Sequence, residues 1–312
     1  VLLIVVIVYA FFYFRLKSIK RQKEKLEMEV MLRTKEIVEK NNEIVAQNEE
    51  ITAQNEEIGS QRERLAEVYQ EVTDNIITAK RIQEAVLPLS SIIAKEIPDH
   101  FIFYKPKDIV SGDFYWYYQK FDKVYIAAVD CTGHGVSGAF MSLIGRSLLD
   151  KIVLENPTYS PAEILDELSV SLVKTLHQDQ EDSITKEGMD IALCIIDKEE
   201  EILQFAGANN PLIIRKETEL EVIKGSPFGI GLMKGKPATG FVNNIIPMQK
   251  GDAYYIFSDG FVSQFGGESG EEKLKISRFK EIIQNLPVDN FVSQNQTLEK
   301  ALDTWQGSTP QT

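Results

Sequence analysis

The chain has 312 residues, 43% hydrophobic and 26% charged, enough for one large packed domain with extensions. A formal net charge of −13 argues against duplex nucleic acid as a partner, because phosphate backbones call for basic surface. Cys131 and Cys194 lie far apart and form no C-x-x-C pair, which indicates neither a zinc site nor a disulfide framework and fits a reducing cytosolic compartment.

Val1–Phe14 is an apolar run, shorter than the about 20 residues a bilayer span needs. It is expected to be the end of a transmembrane helix that starts upstream. Arg15, Lys17, Lys20, Arg21, Lys23 and Lys25 follow at once, with Glu24 alone against them, as on the cytoplasmic flank of a span. The alternatives are a core helix and a signal peptide. A core helix is rarely followed by so basic a segment, and a signal peptide carries its charge before the apolar part. The expected placement is the cell membrane, with the remaining chain cytoplasmic.

Residues 15–79 form the next segment, which has no Pro and only Gly59. Glu43–Glu49 (EIVAQNE), Glu50–Glu56 (EITAQNE) and Glu57–Glu63 (EIGSQRE) repeat at seven residues. The same phase places Ile37, Ile44, Ile51, Ile58, Leu65 and Val72 seven apart, the period of a left-handed coiled coil. The second seam is polar in the middle (Gln47/Asn48, Gln54/Asn55, Gln61/Arg62), which lowers stability and sets register. Past Leu65 both seams turn apolar, through Val68, Tyr69, Val72, Ile76 and Ala79. A helix this long needs a partner to bury its stripe, so a homodimeric signalling rod is expected rather than a solvated single helix.

Residues 80–312 read as the output domain, with Pro88 stopping the helix. Strands are expected at Phe101–Tyr104, Trp116–Tyr118, Val124–Val129, Met189–Ile196, Ile202–Phe205, Pro211–Arg215, Leu220–Ile223 and Ala253–Phe257. Helices are expected at Val136–Leu154, Pro161–Leu176 with Ser160 as N-cap, Lys275–Leu286 and Asn290–Trp305. Strands outnumber helices and cluster in hairpins, which favours a layered α+β sandwich over a parallel doubly wound sheet.

Three aspartates sit at strand-to-turn junctions: Asp113 in Ser111-Gly112-Asp113-Phe114-Tyr115, Asp130 after Val124–Val129, and Asp259 in Phe257-Ser258-Asp259-Gly260. Glycine beside each lets the backbone turn sharply or a ligand approach closely. One such Asp usually caps a turn; three in one domain point to a site. Oxygen-only ligands suit Mg²⁺ or Mn²⁺ rather than zinc, and paired ions of that kind hydrolyse phosphoesters. Asp190, also beside a strand, reads as structural, and Asn209-Asn210-Pro211 as a turn.

At these residues the chain resembles the SpoIIE/RsbU-like branch of the PP2C (PPM) metal-dependent serine/threonine phosphatases. Five pieces carry the resemblance, in the family's order: Arg81-Ile82-Gln83-Glu84-Ala85-Val86-Leu87-Pro88, the Asp113 and Asp259 segments above, Asp130-Cys131-Thr132-Gly133-His134-Gly135, and Phe205-Ala206-Gly207-Ala208-Asn209-Asn210-Pro211. It implies a four-layer α-β-β-α sandwich and two Mn²⁺ or Mg²⁺ ions. Asp130 resembles the bridging ligand, the Cys131 carbonyl the backbone ligand, and Asp113 and Asp259 the ligands of one ion each. The nucleophile would be a metal-bound water. His134 is weighed as a general acid for the leaving alkoxide or as a residue that orients its loop. The substrate implied is a phosphoserine or phosphothreonine on a regulatory protein, such as an anti-sigma-factor antagonist.

One departure stands out. The family's last ligand lies in an Asp-Asp pair after a Trp-x-Gly stretch. Here Trp305-Gln306-Gly307 is followed by Ser308–Thr312, and Asp303 precedes the Trp. That pair is expected just beyond Thr312, so this length of chain should bind one ion weakly and turn over little. A catalytically dead dimeric scaffold is the alternative. A sensor kinase is disfavoured, since Glu57–Leu87 holds no phosphoacceptor His.

Overall fold

The computed structural model describes residues 2–180, 186–217, 219–287 and 290–311. Val1 and Thr312, the outer ends of two expected segments, lie outside them. Two compact units emerge, residues 1–73 and 74–312.

The first unit is helix, the greater part of α1 (Leu2–Val86). Its N-terminal stretch is long and apolar enough to cross a membrane, with its side chains exposed. Further along, Ile37, Ile44, Ile51 and Ile58 of the seven-residue series are exposed too, in a stripe with no cover within the chain. Ion pairs such as Lys23–Glu27 and Arg33–Glu36 run one turn apart on exposed faces, where each contributes well under about 1 kcal/mol.

The second unit holds the last turns of α1, then α2 (Ser90–Glu96), β1 (Phe114–Lys120), β2 (Lys123–Cys131), α3 (Gly135–Glu155), α4 (Pro161–Thr175), β3 (Met189–Asp197), β4 (Ile202–Ala208), β5 (Leu212–Arg215) and β6 (Leu220–Ile223). There follow the short pair β7 (Leu232–Met233) and β8 (Lys236–Pro237), β9 (Asn244–Pro247), β10 (Ala253–Ile256), α5 (Gly260–Ser263), the pair β11 (Phe265–Gly266) and β12 (Glu272–Lys273), α6 (Lys275–Gln284) and α7 (Phe291–Gln306).

The strands make an antiparallel five-stranded sheet, ordered β1-β2-β3-β4-β9, and a three-stranded sheet, β10-β5-β6. Alternation along the strands sorts the core into three layers. Phe114, Trp116, Ala127, Val129, Ile191, Leu193 and Ile195 pack on Leu149, Ile152, Ile164, Leu165, Leu168 and Leu172 of α3 and α4. The neighbours Ile126, Ala192, Cys194 and Phe205 face the other way, meeting Leu212, Ile214, Tyr254 and Ile256 of the second sheet. Ile213 and Tyr255 point outward again, onto Phe279, Ile283 and Leu298 of α6 and α7. The order helix, sheet, sheet, helix is the expected α-β-β-α sandwich.

Local chemistry fixes the edges. Ser160 caps α4 with a complete capping box, Glu163 returning the bond to the Ser160 amide. Arg215, buried on β5, donates to the Ile283 and Leu286 carbonyls at the end of α6, at 3.2 and 3.0 Å.

One expectation is corrected. Phe101–Tyr104 forms no strand: its aromatic rings Phe101 and Phe103 anchor it in the outer core, and the Ile102 carbonyl accepts from Asn295 Nδ2 at 3.1 Å rather than from a ladder. α1 stops at Val86, just before Pro88, and Gln83 in its last turn is already buried.

Candidate metal centre

Register brings the carboxylates together. Asp130 at the end of β2 stands directly across from Asp190 at the start of β3. Phe114 pairs with Val129, so Asp113, one residue before β1, flanks Asp130 on its other side. The row Asp113, Asp130, Asp190 thus crosses three neighbouring strands at one end of the sheet. Phe114, Val129 and Ile191, adjacent in sequence, point to α3 and α4, so all three carboxylates point the opposite way, toward the second sheet. Asp259 enters from that second sheet, three residues past the end of β10.

The four are electrostatically linked. Burial, then the charges of Asp113 and Asp259, push the Asp130 carboxyl up to about 8, and Asp130 lies within hydrogen-bonding reach of both. Asp113 is also raised, chiefly by burial, against the pull of the Ser258 hydroxyl, which donates to its Oδ2 at 2.5 Å. Asp190 is raised by burial while Asn209 Nδ2 donates to its Oδ1 at 2.8 Å, and it feels the Asp259 charge. Asp259 Oδ2 accepts from Ser263 Oγ at 3.0 Å, one turn along α5.

The loops pack backbone to backbone. A Cβ placed on Gly112 would lie 3.0 Å from the Gly133 carbonyl oxygen and 3.1 Å from that of Cys131. The Cys131 carbonyl therefore faces the Asp113 segment, while the Cys131 thiol is buried and its pKa raised by burial. Gly133, at φ 86°, turns the chain from β2 toward α3 in a conformation that L side chains rarely adopt.

The donor set fits a hard divalent cation. It is all oxygen, it concentrates like charges in one cleft, and among the described residues no Lys or Arg forms an ion pair with Asp113, Asp130 or Asp259. The contacts between these carboxylates are pairwise. Among the described residues no three acidic, His or Cys side chains stand at metal-holding separation from one another.

Of the residues singled out from sequence, the fold gathers Asp113, Asp130, the Cys131 carbonyl and Asp259. His134 stands apart, with its side chain 94% exposed and its Nδ1 3.7 Å from Asp108 Oδ2. Asp190, Ser258 and Asn209 join the site although sequence reasoning gave them no part in it. The signal for Asp190 was its place at the start of β3, and only register showed that it faces Asp130.

Residues 121–310 match the Stage II sporulation protein E (SpoIIE) family. No curated protein matches the chain. Among solved structures, the PP2C domain of SiaA from Pseudomonas aeruginosa is similar at 31% identity and a TM-score of 0.71, over 78% of this chain and 94% of that one. The PP2C phosphatase domain of SpoIIE from Bacillus subtilis, with a fragment of its regulatory domain, shares the fold at 20% identity and a TM-score of 0.51, over 66% of this chain and 57% of that one. The RsbU and RsbW domains of Rv1364c from Mycobacterium tuberculosis share it at 17% and 0.50, over 64% and 53%. The chain spans little more than half of those last two. The fold and these matches define a PP2C-type phosphatase domain. Within that class the chain belongs to the SpoIIE family, in its SpoIIE/RsbU-like branch.

Proposed function

We propose that the domain hydrolyses phosphoserine or phosphothreonine on a regulatory protein, with Mn²⁺ or Mg²⁺ held by Asp113, Asp130, the Cys131 carbonyl and Asp259. The observation that carries this reading is the convergence of Asp113 and Asp130 from one sheet with Asp259 from the other. When bound, two divalent ions supply positive charge for the phosphoryl group and lower the pKa of the attacking water. The chain's own residues do the rest. Asp130, within reach of both Asp113 and Asp259, would be the ligand common to both ions, and it would have to give up the proton that burial favours. Ser258 fixes the rotamer of Asp113 through its hydroxyl, and Ser263 holds Asp259. The general-acid role of His134 rests on the sequence resemblance alone, since its exposed ring stands apart from the carboxylates, beside Asp108.

The substrate class is a small phosphorylated regulator, an anti-sigma-factor antagonist being the type the branch implies. The apolar start of α1 anchors the protein in the cell membrane with the phosphatase domain in the cytoplasm, and the seven-residue series pairs two copies. A signal that shifts the pairing of the rod alters the geometry of Asp113 and Asp130.

The test is release of phosphate from a phosphoserine peptide with Mn²⁺, comparing the protein with its Asp130→Asn variant. A loss of about a hundredfold or more is expected when a ligand shared by both ions is neutralised. Equal rates would remove Asp130 from the mechanism.

A further inference from the structure

The cations that follow the apolar start of α1, Arg15, Lys17, Lys20, Arg21, Lys23 and Lys25, do not share one face of the helix. The seven-residue series through Ile37 extends back to Val30, Lys23, Leu16 and Tyr9, and its second seam back to Leu26 and Ile19. At about 100° per residue, Lys23 lies in that seam, and Arg15 and Lys20 flank it. Lys17, Arg21 and Lys25 fall with Phe14 within an arc of about 80° on the opposite side of the helix. Phe14, Lys17, Ser18, Arg21, Gln22 and Lys25 line one groove along that side.

The two faces also differ in their partners. Lys23 meets Glu27 at 3.6 Å, one turn along. Lys17, Arg21 and Lys25 are exposed, and among the described residues they form no ion pair, not even with Glu24, the one carboxylate beside them. Like charges one turn apart repel each other in an isolated helix. A second copy seated on the seam leaves that repulsion in place, because these three side chains point away from it. We propose that Phe14, Lys17, Arg21 and Lys25 form a binding face for the headgroups of anionic phospholipids. This rests on the reading of the apolar start of α1 as a membrane anchor.

Distance and side-chain direction suit that occupant. A helix rises about 1.5 Å per residue, so Lys17, Arg21 and Lys25 stand about 4.5, 10.5 and 16.5 Å past Phe14. The polar layer of a bilayer is about 5–8 Å deep on each side. Helical side chains lean toward the N-terminus, so the long stems of Lys and Arg bend back toward the bilayer. Lys17 therefore reaches the headgroup layer, and Arg21 and Lys25 stand within about one Debye length of its surface. The planar fork of Arg21 suits bidentate contact with a phosphate. The chain as a whole carries −13, so an anionic surface attracts it through this basic segment and repels most of the rest.

The test uses the full chain in phosphatidylcholine vesicles that contain a minority of phosphatidylglycerol, with spin-labelled lipids reporting which headgroup is held at the protein's boundary. The wild-type chain is expected to hold phosphatidylglycerol about fivefold more strongly than phosphatidylcholine at low salt, the effect of one surface cation, and to lose that preference at high salt. The variant carrying Lys17→Gln, Arg21→Gln and Lys25→Gln should show no preference. The variant carrying Arg15→Gln, Lys20→Gln and Lys23→Gln loses as many charges from the same stretch and should keep most of it. Both variants retain equal positive charge after the apolar run, so the direction of insertion is biased equally and the difference reads the face alone. The proposal is overturned if the wild-type chain shows no preference, or if the two variants lose it equally. Should the first variant fail to insert, Arg21→Gln alone is expected to lower the preference by a smaller factor, and no change there would overturn the proposal. A chain that inserts into no vesicle, yet sediments at low salt with those containing phosphatidylglycerol, would overturn the anchor reading alone. Sedimentation with neither phosphatidylcholine nor mixed vesicles would overturn both.

Discussion

The rod and the sandwich use the same kinds of side chain to opposite ends. In the rod, Ile44, Ile51 and Ile58 are about half exposed within the chain. In the sandwich, Ile191, Leu193 and Leu168 are fully buried. Apolar area stabilises only what it removes from water. The sandwich therefore gains from its apolar side chains within the chain, while the stripe of α1 would contribute only if a second helix covered it. On the proposed function the difference would separate two jobs: a frame that places carboxylates, and an element whose pairing could change at little energetic penalty.

Substitutions can break that contrast from both sides. The largest effect is expected in the frame: Leu168→Ala, at the centre of the layer between α4 and the sheet, should lower stability by about 2–5 kcal/mol in denaturant unfolding. The corresponding Ile51→Ala in the rod should leave the domain's transition in place.

The next effect concerns the charge stored in the frame. Burial and two neighbouring carboxylates raise Asp130 from an ordinary 3.8 to about 8. The folded chain therefore holds a proton that the unfolded chain releases between these values. The contribution of this group to stability is greatest below pH 4 and declines as pH rises toward 8. In metal-free buffer Asp130→Asn should remove that decline and stabilise the protein at pH 8 by on the order of 2 kcal/mol, measured as unfolding midpoints at pH 5 and 8. A variant less stable than wild type at pH 8 would contradict the assignment.

Smaller again is the cap of α4. Ser160→Ala should lower stability by about 1 kcal/mol, since it removes the hydroxyl that accepts from the Glu163 amide. The smallest effect on the domain's own stability is expected from Ile51→Asn. In the full chain it should leave the unfolding midpoint of the sandwich and its metal affinity unchanged, yet alter self-association and turnover. An unchanged rate there would refute coupling through the rod.

Much of this was legible from residue order. Asp130 is announced by an apolar strand that ends in Asp-Cys-Thr-Gly, and Asp259 by a strand before Ser-Asp-Gly, because a fold needs glycine where a chain turns sharply at a rim. Other parts were not legible. Phe101–Tyr104 has strand composition, but its rings serve as anchors for the outer helices and no neighbouring strand offers it a ladder. The short strand β9 is not among the expected strands, since four residues carry too little alternation to register. His134 lies two residues past Thr132 in a motif-bearing loop, yet its ring turns out to solvent beside Asp108.

By itself, the sequence determined the properties that depend on spacing along one chain: the seven-residue stripe, the basic flank after the apolar run, the Ser160 helix cap, and the apolar runs that mark most of the strands. Periodicity and local steric rules act over a few residues and need no partner. Tertiary structure alone decided which carboxylates meet. Asp113, Asp130 and Asp190 share a row because of strand register, Asp259 reaches them because two sheets stack, and Gln83 grips Ser111 because α1 ends against α3. Those contacts join residues 17 to 146 positions apart, and only the packing of the layers sets their distances.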